Sequence, residues 1–544
     1  MTGANRILLP RGGFLALDWG RGESGRRLGK GVESGTIGEE RARAGSRRRE
    51  TRARRTIAAP AYITRAIPPY AILEEEALAR IEATAERILA EVGIEFRNDP
   101  ETRRLFAAAG ADFDGDRARF EPGMIRELLG SAPAEFVQHA RNPAHNVVIG
   151  GRNTVMAPAY GSPFVMDLDR GRRYGTLEDF RNFVRLAYMA PWLHHSGGTV
   201  CEPVDVPVNK RHLDMVLAHL TLSDKALLGS VTAPERAADS VEMCRRVFGA
   251  DFVDANCTIM GNFNVNSPLV WDGTMTGGIR EYAAANQGSV IVPFILGGAM
   301  GPVTNAGAIA QAHAETMVGC ALTQLVRPGA PVIYGNFLSS TALRSGSPTF
   351  GTPEPAAGSL VVGQLARRLG LPLRCSGSFT TSKLPDAQAM SESVNSMLAA
   401  IHCGANFLLH SAGFLDGLLS MSYEKFVLDV DFCGALHTYV RGVAVTEEDL
   451  AFDAEAEVGP GGHFFGCQHT IRHYETAYWE SDLADNDPWE TWSEKGALDA
   501  ATRANARWKA MLAAYAPPPL DEGIREALDD FVARRKAGVE DAWH

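Results

Sequence analysis

The sequence predicts an α/β fold, a TIM (β/α)8 barrel with an N-terminal helical extension and a C-terminal helical tail. Three observations predict it. Short runs, apolar on both faces, recur at 196–201, 226–231, 257–262, 289–295, 331–336, 373–378 and 405–411, with starts 30, 31, 32, 42, 42 and 32 residues apart. With an earlier run at 154–160 they make eight, the number a covered parallel sheet needs to close on itself. Helical stretches lie between them, and no phosphate-binding G-x-G-x-x-G follows the first run, which disfavours an open doubly wound sheet.

The elements follow in order. Residues 1–56 carry 14 Arg/Lys against 6 Asp/Glu, leaving 40 basic and 59 acidic residues for the remainder. Runs such as Arg41-Ala-Arg-Ala-Gly-Ser-Arg-Arg-Arg49 have no apolar period, so this head reads as a disordered basic arm. Residues 57–150 read as the helical extension. Leu78, Ile81, Ala85, Ile88 and Val92 mark one buried face, and Asp99-Pro100 opens a further helix. Residues 151–485 hold the barrel. Its helical stretches at 235–248, 306–326, 357–369, 386–402 and 424–440 include several that end in glycine: Gly249, Gly370, Gly404 and Gly442. Residues 486–544 form the tail, with helices at 488–494, 497–515 and 521–537, the last capped by Asp521.

Composition excludes several classes. Of 544 residues, 45% are hydrophobic and 22% charged, which are globular values. No apolar run reaches the ~18–20 residues of a membrane span. The net charge of −11 combines a head at +8 with a body at −19, and so acidic a body is a poor match for nucleic acid and a weak attraction for cations. Eight cysteines lie far apart without a C-x-x-C pair, as reduced thiols of a cytoplasmic protein do.

In a barrel the chemistry sits where strands end. Those positions here are Tyr160, Glu202, Asn262, Asn264, Asn336, the stretch Thr380-Thr381-Ser382-Lys383, and His410. Lys383 precedes Pro385-Asp386, and Asp386, Gln388 and Glu392 line the start of the next helix. A desolvated lysine there could form a Schiff base, while a solvated one would only pair with Asp386. His463, Cys467, His469 and His473 offer four ligands in eleven residues, but at no standard zinc spacing, so no bound metal is expected. Tyr160, Phe164, Trp271, Tyr334, Phe337, Phe350 and Phe379 fall near strand ends. Such rings are core or lid packing, or a cage for a quaternary ammonium, which has no N–H to donate and is held by ring faces.

Several segments resemble the trimethylamine methyltransferase family. They are Ile67-Pro-Pro-Tyr-Ala-Ile72, Gly93-Ile-Glu-Phe96, Gly351-Thr-Pro-Glu-Pro355, Ser382-Lys-Leu-Pro-Asp-Ala-Gln-Ala389, Gly459-Pro-Gly-Gly-His463 and Pro518-Pro-Leu-Asp521. The resemblance spans about residues 60–540 and implies a TIM barrel. It also implies transfer of a methyl group from a methylated amine to the cobalt of a separate corrinoid protein, with no tightly bound cofactor in this chain. Archaeal trimethylamine members carry pyrrolysine where Lys383 lies or adjoins, so lysine here implies a quaternary amine such as glycine betaine. By that resemblance Lys383, Asp386 and Glu392 are the expected catalytic loop, and Tyr160, Gln388, His410 and His463 the expected substrate contacts. A homo-oligomer without nucleic-acid or membrane partners is expected. A Schiff-base lyase on Lys383 and a non-catalytic betaine-binding protein are the alternatives.

Overall fold

The computed structural model describes residues 60–543. The basic head at 1–56 lies outside them. Seven parallel strands form the central sheet: β1 (Asn153–Met156), β2 (Leu227–Leu228), β3 (Ile259–Val265), β4 (Gly288–Gly297), β5 (Val332–Gly335), β6 (Leu373–Ser376) and β7 (Phe407–Leu409). They pair in the order β1-β7-β6-β5-β4-β3-β2. Every one falls on an expected run.

The eighth expected strand, at 196–201, does not form. Gly197 sits at φ +89, a conformation that ends an extended run and that L side chains rarely adopt. Residues 194–197 still pass between the two edges of the sheet. The backbone N–H of His194 donates to Met156 (3.0 Å), Ser196 donates to Ala226 (2.8 Å), and Leu228 donates to Gly197 (2.7 Å). The ladder is therefore a mixed α/β sheet whose edges meet through single bonds rather than a continuous ring of strands.

Eight helices follow the strand positions: α1 (Leu177–Met189), α2 (Arg211–Leu222), α3 (Pro234–Phe248), α4 (Gly273–Ala284), α5 (Asn305–Val326), α6 (Pro353–Leu369), α7 (Ala387–His402) and α8 (Tyr423–Tyr439). Inside the sheet, Val290 and Val292 of β4 and Phe407 and Leu409 of β7 share one apolar cluster with Met260 and Ile333. The two-residue spacing places each pair on one face of its strand. The larger core lies between sheet and helices, and α5 is buried on nearly all sides. Such a helix needs cover on its outer face as well.

The N-terminal extension supplies that cover, and it is not purely helical as expected. Helices Glu75–Arg87 and Pro100–Ala108 alternate with strands Ile94–Arg97, Asp112–Asp114 and Arg117–Arg119. These strands of three or four residues are too short to show alternation, and Ile94–Arg97 is paired by Val270–Asp272, a strand far away in sequence. Asp99 caps its helix as expected, accepting from the Thr102 backbone N–H at 3.1 Å. The tail returns to the helices that cover the sheet. In helix Glu522–Ala537, Lys536 pairs with Asp214 of α2 (2.6 Å) and Arg535 with Asp239 of α3 (2.7 Å). No helix among the described residues is long and apolar enough to cross a membrane, and all eight cysteines are free and buried.

Candidate functional site

The interior apolar column ends, toward the C-terminal ends of the strands, on two half-buried rings, Tyr160 and Phe337. Tyr160 follows β1 and lies against Gly198, where a Cβ would come within 2.8 Å of the ring. Burial pushes its phenol up to about 12, so it stays neutral. Phe337 follows β5 and is the hub of an aromatic cluster. Its centroid is 4.7 Å from Phe294, 5.0 Å from Phe379 and 5.5 Å from the His410 ring. Phe379 meets Phe350 at 5.3 Å, and Phe414 meets His410 at 4.9 Å. The rings touch one another, with Phe379 stacked on Phe337, so a cation would not lie between those two.

Beneath the rings lies a side chain that no sequence signal here had singled out. Arg374 of β6 is fully buried, its guanidinium 5.1 Å from the Phe337 centroid. It donates to the Asn336 carbonyl (2.6 Å), the Ser376 hydroxyl (3.1 Å) and His410 Nδ1 (3.1 Å). Its Nε has no partner, and no carboxylate of the described residues forms an ion pair with it. Burial pulls the guanidinium down to about 9, which leaves it charged at neutral pH. An unpaired buried cation is costly unless an anion is to arrive. Because Nδ1 of His410 accepts from a guanidinium, the ring is neutral with its proton on Nε2, and burial followed by Arg374 holds its pKa well below the usual range. His410 adopts φ +69, a left-handed conformation uncommon outside glycine. On β3, Asn262 stands two residues beyond Met260 and so on the same inward face, and its Oδ1 is buried without a partner. An arginine inside an apolar strand run was the available signal for this site.

The lysine-bearing loop is held by its own hydrogen bonds. Glu392 of α7 accepts from the Thr380 hydroxyl (2.6 Å) and the Thr381 backbone N–H (2.8 Å), and Gln388 donates to it at 2.9 Å. Asp386 caps α7, accepting from Ala389 N–H and the Ser382 hydroxyl, both at 2.9 Å. Lys383 is exposed, with Nζ on the Thr381 carbonyl at 2.7 Å. The apolar enclosure that imine chemistry requires is absent there. Two lysines are buried instead: Lys225, whose Nζ donates to the Ala187, Ala190 and Leu193 carbonyls at 2.8, 2.8 and 2.7 Å, and Lys425 of α8, paired with Asp429 and bonded to Ser393 at 2.9 Å. Asp429 in turn accepts from the Ser378 hydroxyl (2.7 Å) and the Gly413 N–H (2.9 Å), which ties the segments after β6 and β7 to one helix.

Of the seven expected rings, Phe337, Phe350 and Phe379 come together, with Tyr160 at the same mouth. Trp271 and Tyr334 are fully buried elsewhere, and Phe164 stacks on Tyr174 in an outer hairpin. Glu202 is taken up by Arg211 (2.9 Å). His463 lies exposed with the glycine-rich loop before it, apart from His410. His469 and His473 join neither His463 nor Cys467; they meet Glu448.

The model of the family described as trimethylamine methyltransferase (MTTB) matches residues 41–540. The chain belongs to that family. A glycine betaine methyltransferase of Desulfitobacterium hafniense (strain Y51) is 41% identical over 86% of this chain and 98% of its own length. A proline betaine:corrinoid methyltransferase of Eubacterium limosum is 26% identical over 82% and 94%. The crystal structure of a Methanosarcina barkeri monomethylamine methyltransferase is similar at 11% identity and a TM-score of 0.42, over 86% of this chain and 96% of that one. This member of the trimethylamine methyltransferase family carries Lys383 two residues before the segment Pro385-Asp-Ala-Gln-Ala389.

Proposed function

We propose that this methyltransferase takes a methyl group from a betaine, a quaternary ammonium that also carries a carboxylate, and passes it to the corrinoid of a separate protein. The observation that carries the reading is Arg374, a buried guanidinium without an acidic partner directly beneath aromatic rings. A carboxylate at Arg374 gains charge-assisted hydrogen bonds, and the fixed cation at the other end of the same molecule gains the ring faces of Phe294, Phe337 and Tyr160. Asn262, inward-facing beside them, offers polar contact to the ligand. Glycine betaine and proline betaine, on which relatives act, have this dipolar form.

The rest follows from the chemistry of the leaving group. Cobalt(I) attacks the methyl carbon in line, a Co–C bond forms, and the C–N pair leaves with a neutral tertiary amine. No proton has to move. His410, already neutral and held by Arg374, therefore positions rather than titrates. Catalysis rests on orientation and on exclusion of water at the rings. Lys383, Asp386, Gln388 and Glu392 serve by ordering the loop after β6 around the mouth. We further propose a closed (β/α)8 barrel, completed by residues 194–197, and a homo-oligomer in solution.

The test is methyl–cobalt absorbance with cobalt(I) cobalamin and four substrates: glycine betaine, proline betaine, choline and trimethylamine. The betaines should react faster than choline, which has the cation without the carboxylate. Equal rates for choline would remove Arg374 from substrate binding. Faster methylation from trimethylamine than from every quaternary amine would overturn the substrate class.

A further inference from the structure

Away from the mouth, two short helices, Glu447–Leu450 and Gln468–His473, face one another. Glu448, His469 and His473 each bring one ligand atom to within 4.8 Å of the others. We propose that these three side chains form a surface site for a borderline divalent transition metal such as Zn2+ or Co2+.

The chemistry of the donors supports it. Two histidines four apart on a helix share one face, and two imidazoles with one carboxylate suit zinc and its neighbours rather than calcium or magnesium. Their rings lie 4.5 Å apart. His469 Nε2 is 3.1 Å from the Glu448 backbone carbonyl, a bond that fixes the ring's tautomer and orientation and leaves Nδ1 as a lone-pair donor. The Glu448 carboxylate lies at the surface, where His473 and Arg472 both reach it. Ligand atoms ~2.0–2.2 Å from an ion stand roughly 3.3 Å apart in tetrahedral geometry, so side chains on an open surface need shift by only about 1 Å. Solvent reaches the group, which leaves an entry path and room for water as further ligand.

Two neighbours are not part of the site. Cys467 is buried and accepts from the Thr470 N–H at 3.4 Å as a helix cap. Arg472 competes, with Nη2 2.9 Å from Glu448 Oε1, the same oxygen that His473 Nε2 approaches at 2.8 Å. Metal binding would take the carboxylate away from His473 and Arg472. A bound ion would also tie together the two ends of a loop that contains Gly459-Pro-Gly-Gly-His463.

The test uses the full chain, stripped with a chelator and titrated with Co2+ under visible absorption, then with Zn2+ in competition. One equivalent per chain is expected. His473→Ala should weaken binding by more than the roughly 10–100-fold that loss of an orienting partner costs. Arg472→Gln, which removes the competing cation, should tighten it several-fold. All three ligands are at the surface, so His469→Ala and His473→Ala should leave the melting temperature of the metal-free protein unchanged. No saturable binding by the wild-type chain, or binding that survives His473→Ala, overturns the proposal. Weaker binding in Arg472→Gln would also overturn it, since the trio would then be an ion-pair latch that needs its arginine.

Discussion

The aromatic mouth of the sheet and the segment around Glu448 each place an arginine against a histidine, with opposite consequences. At the mouth Arg374 and His410 are buried together, without a carboxylate. Burial, followed by Arg374, holds the histidine well below its usual range, while burial pulls the guanidinium down only to about 9, so it keeps its charge at neutral pH. Around Glu448, Arg472 and His473 share an exposed carboxylate. Water screens that group, so it adds little to stability whatever its geometry. The difference teaches that water screens an exposed ion pair, while the buried Arg374 keeps an Nε without a partner and so can take a further acceptor. The surrounding rings tell the same story. Phe379 and Phe350 are 4% and 2% exposed in their cluster, whereas Phe465 and Tyr478 are 86% and 88% exposed.

Changes at the mouth should break this contrast most visibly. Arg374→Met is expected to raise the half-saturating concentration of glycine betaine ~100-fold, in line with about 2–5 kcal/mol for a truncated buried charge partner. The melting temperature should hold or rise, since apolar replacement of a buried charge is often neutral or stabilising. A melting temperature that falls together with binding would make the arginine structural.

Acidity sharpens the comparison next. Burial holds His219, His313 and His437 at about 4 in the folded chain, while an unfolded histidine titrates near 6.5. Unfolded chains then bind protons first. The stability these groups contribute is intact above about pH 6.5 and is lost as pH falls toward 4, at up to ~1.4 kcal/mol per pH unit for each. Chemical denaturation at stepped pH should show the loss beginning near 6.5; a midpoint flat down to pH 5 would contradict the burial.

Smaller effects follow. Phe337→Leu or Tyr160→Leu should raise the half-saturating betaine concentration about tenfold, within the ~0.5–2 kcal/mol of a cation–ring contact, and should change binding of an uncharged analogue little. Lys383→Ala should alter methyl transfer less than twofold, because its Nζ bonds only to its own loop. Borohydride trapping with a carbonyl substrate should find no adduct at Lys383. Adduct formation, or a hundredfold loss of methyl transfer, would return that lysine to the chemistry.

Much of the fold was legible because its signals are local. Apolar runs, Asp99, Asp386 and Asp521 as caps, and glycines after helices each act within a few residues. The loop from Thr380 to Glu392 was legible for the same reason, as was Tyr160 at the end of its strand. The missed features all depend on distant partners. Ile94–Arg97 becomes a strand because Trp271 and its neighbours pair with it. Gly197 interrupts the expected eighth strand while the gap is bridged from Met156 and Ala226. Arg374 is one charged residue in an apolar run, and only the packed fold shows that no carboxylate of the described residues pairs with it. His473 finds Glu448, 25 residues away, rather than His463 ten residues away. Sequence by itself determined where strands and helices lie, because periodicity and capping are properties of neighbouring residues. Tertiary structure alone decided which charges were left unpaired, because desolvation and ion pairing depend on what the folded chain brings alongside.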